Sequence, residues 1–307
     1  MAIRRERFKP DDYRIGTVLQ NLALLYERVG KYKQAEEYCQ DALKLFEKRE
    51  PDLARTLECF AGLYRKQGKY EEAKELCLQV LAINERYLGP EHSTTAMNLT
   101  NLATLSQEQG NYQEAELLYR RVLAVYEHRS EPEYPDIVRI LHLLARLYQE
   151  QKSYQEAEAL YQRAIAISEQ HLQQEDNVTA AELNNLAVLY HEQGKYQEAE
   201  PLYQRALAID EQQLGRENHS LNFAINLSNL AGLYEDQGNY QQAKQFYNRA
   251  LQIRKEVLGW EHPTTVKTRQ RYNSLLQVGQ QGENDLPELL QPNQPKTEEG
   301  QEMYLQE

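Results

Sequence analysis

Three histidines stand at corresponding places in the sequence and are the first residues to consider for chemistry. His92, His219 and His262 each close a short connector that begins with Leu-Gly. Imidazole binds transition metals and transfers protons near neutral pH. Because the three lie in separate connectors, they are too far apart to bind one metal ion. We therefore interpret them as residues that cap or pack against the helix that follows.

Catalytic motifs with a defined spacing are absent from the sequence. His191-Glu192 has no second histidine at the helical spacing of a zinc site. There is also no Gly-rich phosphate loop and no nucleophile elbow. The carboxylates of the recurrent Glu-Ala-Glu segments come early in helices, where they suit the positive end of the helix dipole. We therefore expect no enzyme, no cofactor and no metal site.

The stretch Asn185–Ile209 shows which elements must position the remaining polar residues. Apolar residues recur at helical spacing on both sides of Gly194. A glycine at this place is the natural left-handed end of the first helix. The stretch therefore predicts two amphipathic helices joined by a tight turn. Neither helix could bury its apolar stripe alone, so the pair must also pack on its neighbours.

The neighbours of this hairpin are copies of it. A tyrosine recurs near the start of each second helix, at successive spacings of 38, 42, 42, 42 and 44 residues: Tyr32, Tyr70, Tyr112, Tyr154, Tyr196 and Tyr240. Small residues recur in the same register, at Ala187 and Ala199 in this copy. A regular period with small residues where helices cross predicts a solenoid of helical hairpins.

The repeated residues match the tetratricopeptide (TPR) signature of a leucine–small pair, an aromatic, alanine, aromatic and alanine: Leu186, Ala187, Tyr190, Ala199, Tyr203 and Ala206. The 42-residue period and the connector Leu-Gly-x-Glu-His resemble the repeats of kinesin light chains and their bacterial look-alikes. The resemblance covers about residues 14–279. It implies an all-α, right-handed superhelical solenoid of about six TPR hairpins with a C-terminal capping helix. It also implies protein binding, with the first helices lining a concave groove.

This register sets the expected boundaries. We expect hairpins at 14–48, 52–88, 93–128, 135–171, 178–213 and 221–257, a cap at 264–278, a flexible basic N-terminus at 1–13 and a disordered acidic tail at 280–307. No internal domain boundary is expected. Repeat 4 is irregular, because Pro132 and Pro135 replace the usual connector and Lys152 stands where other repeats have a turn glycine. A left-handed lysine costs about 1 kcal/mol.

Polar residues that packing does not explain lie on the first helices. Relative to the Asn of the Asn-Leu-Ala motif, offsets −4, −1, +3 and +6 share one helix face, turned away from the partner helix. In repeats 2 and 4 this face is basic: Arg55, Arg65, Arg139, His142 and Arg146. Guanidinium groups would suit an acidic, extended peptide. The alternative is that the arginines pair with Glu58, Glu108 or Glu150 on adjacent turns.

The Asn of the motif is the other candidate for ligand binding. It recurs as Asn21, Asn101, Asn185 and Asn229, whereas Cys59 and Leu143 replace it in the basic repeats. The resemblance implies that this side-chain amide binds the backbone of the ligand. The alternative is a hydrogen bond between adjacent first helices.

The three cysteines do not form a disulfide framework, and reduced thiols are the simplest account. Cys39 and Cys77 stand where later repeats place a tyrosine, and we interpret them as small buried residues. The basic N-terminus lacks the apolar stretch of a signal peptide. These features favour a cytoplasmic protein.

Composition restricts the partners. A net charge of −12 argues against nucleic acid and against anionic membranes, and no apolar run has the length of a membrane span. We therefore expect an adaptor or scaffold that binds a protein or peptide segment, with an assembly factor or holdase-type chaperone as the alternative. The acidic and apolar tail stretch Asp285–Leu290 could itself dock in the groove.

Overall fold

The part of the chain that the structure describes is built from thirteen α-helices. This computed structural model describes residues 13–46, 49–129, 132–171, 176–214 and 220–281. The helices are α1 Tyr13–Arg28, α2 Tyr32–Phe46, α3 Glu50–Lys66, α4 Tyr70–Leu88, α5 Ser93–Glu108, α6 Tyr112–Glu127, α7 Tyr134–Glu150, α8 Tyr154–His171, α9 Asp176–Glu192, α10 Tyr196–Leu214, α11 Leu221–Asp236, α12 Tyr240–Leu258 and α13 Pro263–Gln281. The segment before Tyr13 and the acidic tail after Gln281 lie outside the described residues.

Each hairpin turns at a left-handed residue that ends its first helix. Gly110 has φ of 76°, and its N–H donates to the Gln107 carbonyl oxygen at 2.9 Å. Lys152 has φ of 60°, and its N–H donates to the Gln149 carbonyl oxygen at the same distance. The fourth repeat therefore makes the same helix-ending turn without glycine, as the sequence predicted.

The chain divides into two units, Met1–Glu133 and Tyr134–Glu307. Unit 1 contains three hairpins, α1–α2, α3–α4 and α5–α6, and each packs on the next. Alanines of the repeat pattern, such as Ala103 in α5 and Ala115 in α6, are completely buried. Only a small residue lets two helix backbones approach so closely, which is why these positions recur along the chain.

Unit 2 contains the hairpins α7–α8, α9–α10 and α11–α12, and α13 packs on α12. Tyr203 and Tyr247 of its second helices are completely buried, and so is Leu275 of α13. The terminal helix thus covers an apolar face that the last hairpin would otherwise leave open. Within the described residues, six hairpins and a C-terminal capping helix confirm the expected all-α class of TPR hairpins.

The connector histidines act locally where the structure describes them. His92 precedes α5, and its Nδ1 accepts a hydrogen bond of 3.1 Å from the Thr94 N–H, which confirms a capping role. His262 precedes α13, and its Nδ1 lies 2.9 Å from the Thr264 hydroxyl. His219 lies outside the described residues.

Candidate functional site

The two candidate arginines of unit 1 lie on α3 and are both solvent-exposed. Arg55 has no ion-pair partner among the residues that the structure describes. Arg65 Nε lies 3.8 Å from Glu108 Oε2 of the next repeat, and the Arg65 side chain is 43% exposed. An exposed pair of this length contributes about 0–1 kcal/mol. Neither guanidinium is therefore firmly held by the protein itself.

The candidate arginines of unit 2 lie on α7 and are paired within that helix. Arg139 Nη2 donates to Asp136 Oδ1 at 2.7 Å, and Arg146 Nη2 lies 3.8 Å from Glu150 Oε1. The pairing alternative is therefore realised for Arg146, as it is for Arg65 with Glu108. Asp136 is a partner that the sequence interpretation did not name.

The motif asparagines divide into two groups. Asn229 is buried, 2% exposed, and its Nδ2 donates to Asn184 Oδ1 at 3.1 Å. Asn185 Nδ2 lies 3.1 Å from His142 Nδ1. Both contacts join adjacent first helices, which is the alternative to ligand binding. Asn101, in contrast, is exposed and has no hydrogen-bond partner among the described residues.

Two of the predicted residues of unit 1 come together at one cavity, which we call the unit-1 pocket. Its volume is about 150 Å³, and its lining comes from α3, α4 and α5: Glu58, Ala61, Gly62, Arg65, Ala73, Cys77, Val80, Asn98, Asn101 and Leu105. Arg65 and Asn101 are both solvent-exposed, so the pocket is open to a ligand. Asn98 is not available, because its Nδ2 donates to Glu58 Oε1 and its Oδ1 accepts from Asn84.

Three predicted residues of unit 2 meet at a second cavity, the unit-2 pocket, of about 440 Å³. Arg139, His142 and Asn185 line it together with two carboxylates, Glu182 and Asp210. His142 Nδ1 lies 3.3 Å from Glu182 Oε1, and the tautomer decides whether this nitrogen donates to Glu182 or accepts from Asn185. The site is polar and amide-rich rather than basic.

Asp210 is a buried carboxyl group in the lining of the unit-2 pocket. Burial raises the pKa of its carboxyl above the ordinary value, and the hydrogen bond of 2.7 Å from Asn226 Nδ2 opposes this only in part. Asn226 and Asp210 were missed in the sequence, because neither belongs to a motif that repeats through all six hairpins.

Sequence reasoning also missed the contacts that tie neighbouring repeats together. Tyr190 Oη donates to Glu158 Oε1 of the preceding repeat at 2.8 Å. His191 Nε2 lies 2.7 Å from Asp236 Oδ2 of the following repeat, and the His191 side chain is buried. The contact between Tyr190 and Glu158 could have been predicted from the sequence, since the tyrosine and the glutamate both recur with the repeat period. These residues are structural links rather than groove residues.

Among the described side chains, no three histidines, cysteines or carboxylates cluster as metal ligands would. No helix in the described ranges combines the length and the apolar character needed to cross a bilayer. The candidate binding features are therefore the unit-1 pocket with the exposed side chains of α3 and α5, and, separately, the unit-2 pocket.

Comparison with protein families matches tetratricopeptide repeats over most of this chain. The matched segments are 16–49, 52–128, 127–170, 136–212, 178–256 and 222–272. The chain therefore belongs to the tetratricopeptide repeat family. Repeats of this family are generally non-catalytic protein-interaction domains, so the chain is a protein-interaction protein.

Solved structures add the particular type of repeat. A putative kinesin light chain of Podosopora anserina with nearly identical TPR-like repeats is 30% identical, with a TM-score of 0.57 over 68% of this chain and 99% of that chain. BtubC (BKLC) from P. vanneervenii is 22% identical, with a TM-score of 0.59 over 76% of this chain and 92% of that chain. The 30% identical match confirms the kinesin-light-chain-like repeats that the sequence resembles, whereas the match to BtubC shows a shared fold.

A third structure shares the fold alone. The apo form of the quorum sensor NprR from B. thuringiensis is 17% identical, with a TM-score of 0.60 over 83% of this chain and 69% of that chain. Comparison with curated proteins finds no match.

Proposed function

We propose that the protein is a non-catalytic adaptor or scaffold that binds an extended, acidic segment of a partner protein along its first helices. The most direct support is that the two arginines of α3 are exposed and only weakly paired. Arg55 is exposed without an acidic partner among the described residues, and Arg65 has only a long, exposed contact. Both guanidinium groups can therefore bind a ligand carboxylate at little cost.

The spacing of these groups suits a short extended segment. Ten residues separate Arg55 from Arg65, which corresponds to roughly 15 Å along the helix axis. An extended peptide spans this distance with about five residues. Asn101 on the neighbouring first helix offers a free side-chain amide for the peptide backbone.

The acidic residues of the ligand bind to unit 1 in this proposal, and not to unit 2. In unit 2 the arginines are paired with Asp136 and Glu150, and the pocket contains Glu182 and Asp210. A carboxylate-rich segment would be repelled there, whereas amide and hydroxyl groups could bind its asparagines. The tail stretch Asp285–Leu290 has the composition proposed for the ligand, so a chain truncated before residue 283 should bind an acidic peptide more tightly if the tail competes.

A display selection of random peptides on the immobilised full chain tests the function. We expect one family of acidic peptides that binds saturably in solution. A holdase would instead suppress aggregation of unrelated unfolded proteins and select no common motif. Selection of basic peptides, or of none, would contradict the proposal.

A further inference from the structure

Two of the three cysteines contact each other where repeat 1 packs on repeat 2. Cys39 lies on α2 and Cys59 on α3, and the Cys39 thiol donates a hydrogen bond of 3.7 Å to Cys59 Sγ. Neither residue is part of a disulfide. Cys39 is buried, as expected from the sequence, whereas Cys59 and Cys77 are only partly buried. The junction therefore holds two reduced thiols side by side.

Both cysteines depart from the repeat pattern, and they do so on the two sides of one contact. Cys39 occupies the position that is a tyrosine in repeats 3 to 6, and Cys59 occupies the position of the motif asparagine. At the next junction the corresponding residues are Cys77 and Asn101, so that junction has one thiol and not two. A pair of thiols is thus specific to the first junction and is not a feature of the repeat.

The two thiols have different environments. Cys39 is 1% exposed and packs among apolar side chains such as Ala35 and Leu63. The hydrogen bond to Cys59 and burial both raise the pKa of the Cys39 thiol. The same hydrogen bond lowers the pKa of the Cys59 thiol, because it stabilises the thiolate, and burial opposes this only in part. Because the thiolate is the nucleophile and Cys59 is the more exposed residue, Cys59 is the thiol that reacts first.

We propose that Cys59 is a site of oxidation by hydroperoxides, and that Cys39 then forms a disulfide with it across the junction of repeats 1 and 2. An accessible cysteine beside a second, resolving thiol is the arrangement of a reversible peroxide-reactive pair. This chemistry goes beyond the proposed function and needs no peptide ligand.

The reaction has two steps. The Cys59 thiolate attacks an oxygen of the hydroperoxide, the O–O bond breaks, and the sulfur loses two electrons to become a sulfenic acid. The leaving alkoxide or hydroxide takes up the proton that the Cys59 thiol released. The Cys39 sulfur then bonds to the Cys59 sulfur, the S–O bond breaks, and hydroxide leaves as water with the proton of the Cys39 thiol. A dithiol reductant restores both thiols and is itself oxidised to a disulfide.

The geometry favours the second step over competing reactions. The two sulfurs are already in contact, and they must approach from 3.7 Å to about 2.05 Å to form the bond. A thiol of the same chain at contact distance competes well with thiols of other molecules, because its effective concentration is high. The disulfide joins α2 to α3, the helix that carries Arg55 and Arg65.

Hydrogen peroxide added to the full, folded chain tests the proposal. Trypsin cleaves after lysine and arginine, so residues 34–44, 56–65 and 75–86 become separate peptides with one cysteine each. Mass spectrometry without reduction should find peptide 34–44 linked to peptide 56–65, while Cys77 is alkylated as a free thiol. Dithiothreitol should remove the link and restore both thiols. A non-reducing gel should show only single chains, because the link is intramolecular.

Variants separate the roles of the two thiols. In Cys39→Ala the oxidised Cys59 has no resolving thiol, so dimedone, which captures sulfenic acids, should label Cys59. In Cys59→Asn, which introduces the motif residue of other repeats, Cys39 should react with peroxide at least about tenfold more slowly than Cys59 does in Cys39→Ala. Cys77→Ser is the matched control and should form the disulfide as the wild type does.

Circular dichroism verifies that each variant remains folded, and Cys39→Ser serves if Cys39→Ala does not fold. Absence of the linked peptide, a link that involves Cys77, or a link between two chains overturns the proposal. Equal peroxide reactivity of Cys59 and Cys77 also overturns it. These outcomes leave the proposed function intact, because none of the measurements uses a partner.

Discussion

Tyr234 Oη donates a hydrogen bond of 2.7 Å to Glu200 Oε1 of the preceding repeat. We expect Tyr234→Phe to lower the free energy of unfolding by about 1–2 kcal/mol, because it removes a bond to a charged acceptor. Urea unfolding of both chains measures the difference. Tyr64→Phe is the comparison in unit 1, where the bond to Glu36 is 3.3 Å long and the loss should be smaller.

A double-mutant cycle with Glu200→Ala isolates this bond from the other neighbours of Tyr234, because alanine removes the acceptor. The two substitutions should be less than additive. Full additivity would show that the contact does not link the repeats energetically.

Lys152 provides a second prediction, because it holds φ of 60° without being a glycine. Lys152→Gly should raise the free energy of unfolding by some tenths to about 1 kcal/mol. The greater entropy of glycine in the unfolded chain offsets part of the gain. The reverse change, Gly194→Lys, is the matched control in the next repeat and should destabilise. A clear drop in the melting temperature of Lys152→Gly would contradict the strain argument.

Asp210 provides a prediction about pH. Its pKa is raised in the folded state, so folding binds the proton more tightly. The stabilisation is present below the unfolded-state pKa of about 3.9 and is lost as the pH rises through the folded-state pKa. Asp210→Asn should therefore raise the melting temperature at neutral pH, and the difference should shrink as the pH falls toward about 4.

Thermal melts at several pH values, with Asp41→Asn as a control for the same change of charge at an exposed site, measure this effect. A difference that grows toward acid pH would mean that the carboxylate form of Asp210 is the one stabilised by the fold.

Reversing the charge of the two α3 arginines tests whether the ligand is acidic. Arg55→Glu with Arg65→Glu should abolish binding of the selected acidic peptide, since each charge-assisted contact contributes about 1–2 kcal/mol. Arg146→Glu in unit 2 should have a smaller effect, because we place the acidic residues of the ligand on α3 of unit 1. Binding should also weaken as salt is added. Circular dichroism verifies that the variants remain folded.

Arg120→Glu gives a control for a single charge reversal, because it makes the change from arginine to glutamate on a second helix. It should leave peptide affinity nearly unchanged. Equal losses in Arg120→Glu and in the α3 double variant would indicate a general effect of net charge and would remove the acidic groove from the proposal.

The sequence alone determined the hairpins, their number and their turns. These features depend on the helical periodicity of apolar residues, on small residues where two helices cross and on one left-handed residue per turn. Each of them can be recognised within the sequence of a single repeat. Even the left-handed conformation of Lys152 was predictable from the sequence. The residues at the equivalent position of the other repeats are glycines, and the hairpin requires the same backbone geometry in each repeat.

Only the tertiary structure decided which side chains are free to bind a ligand. Asn101 and Asn229 occupy the same repeat position, yet one is exposed and the other is buried against Asn184, because the neighbouring repeat differs. The cavity beside Cys77 likewise requires Gly62 on the facing helix, a pairing that no local pattern specifies. Local sequence fixes where a helix lies along the chain, but the partners of a polar side chain depend on residues about forty positions away that packing brings beside it.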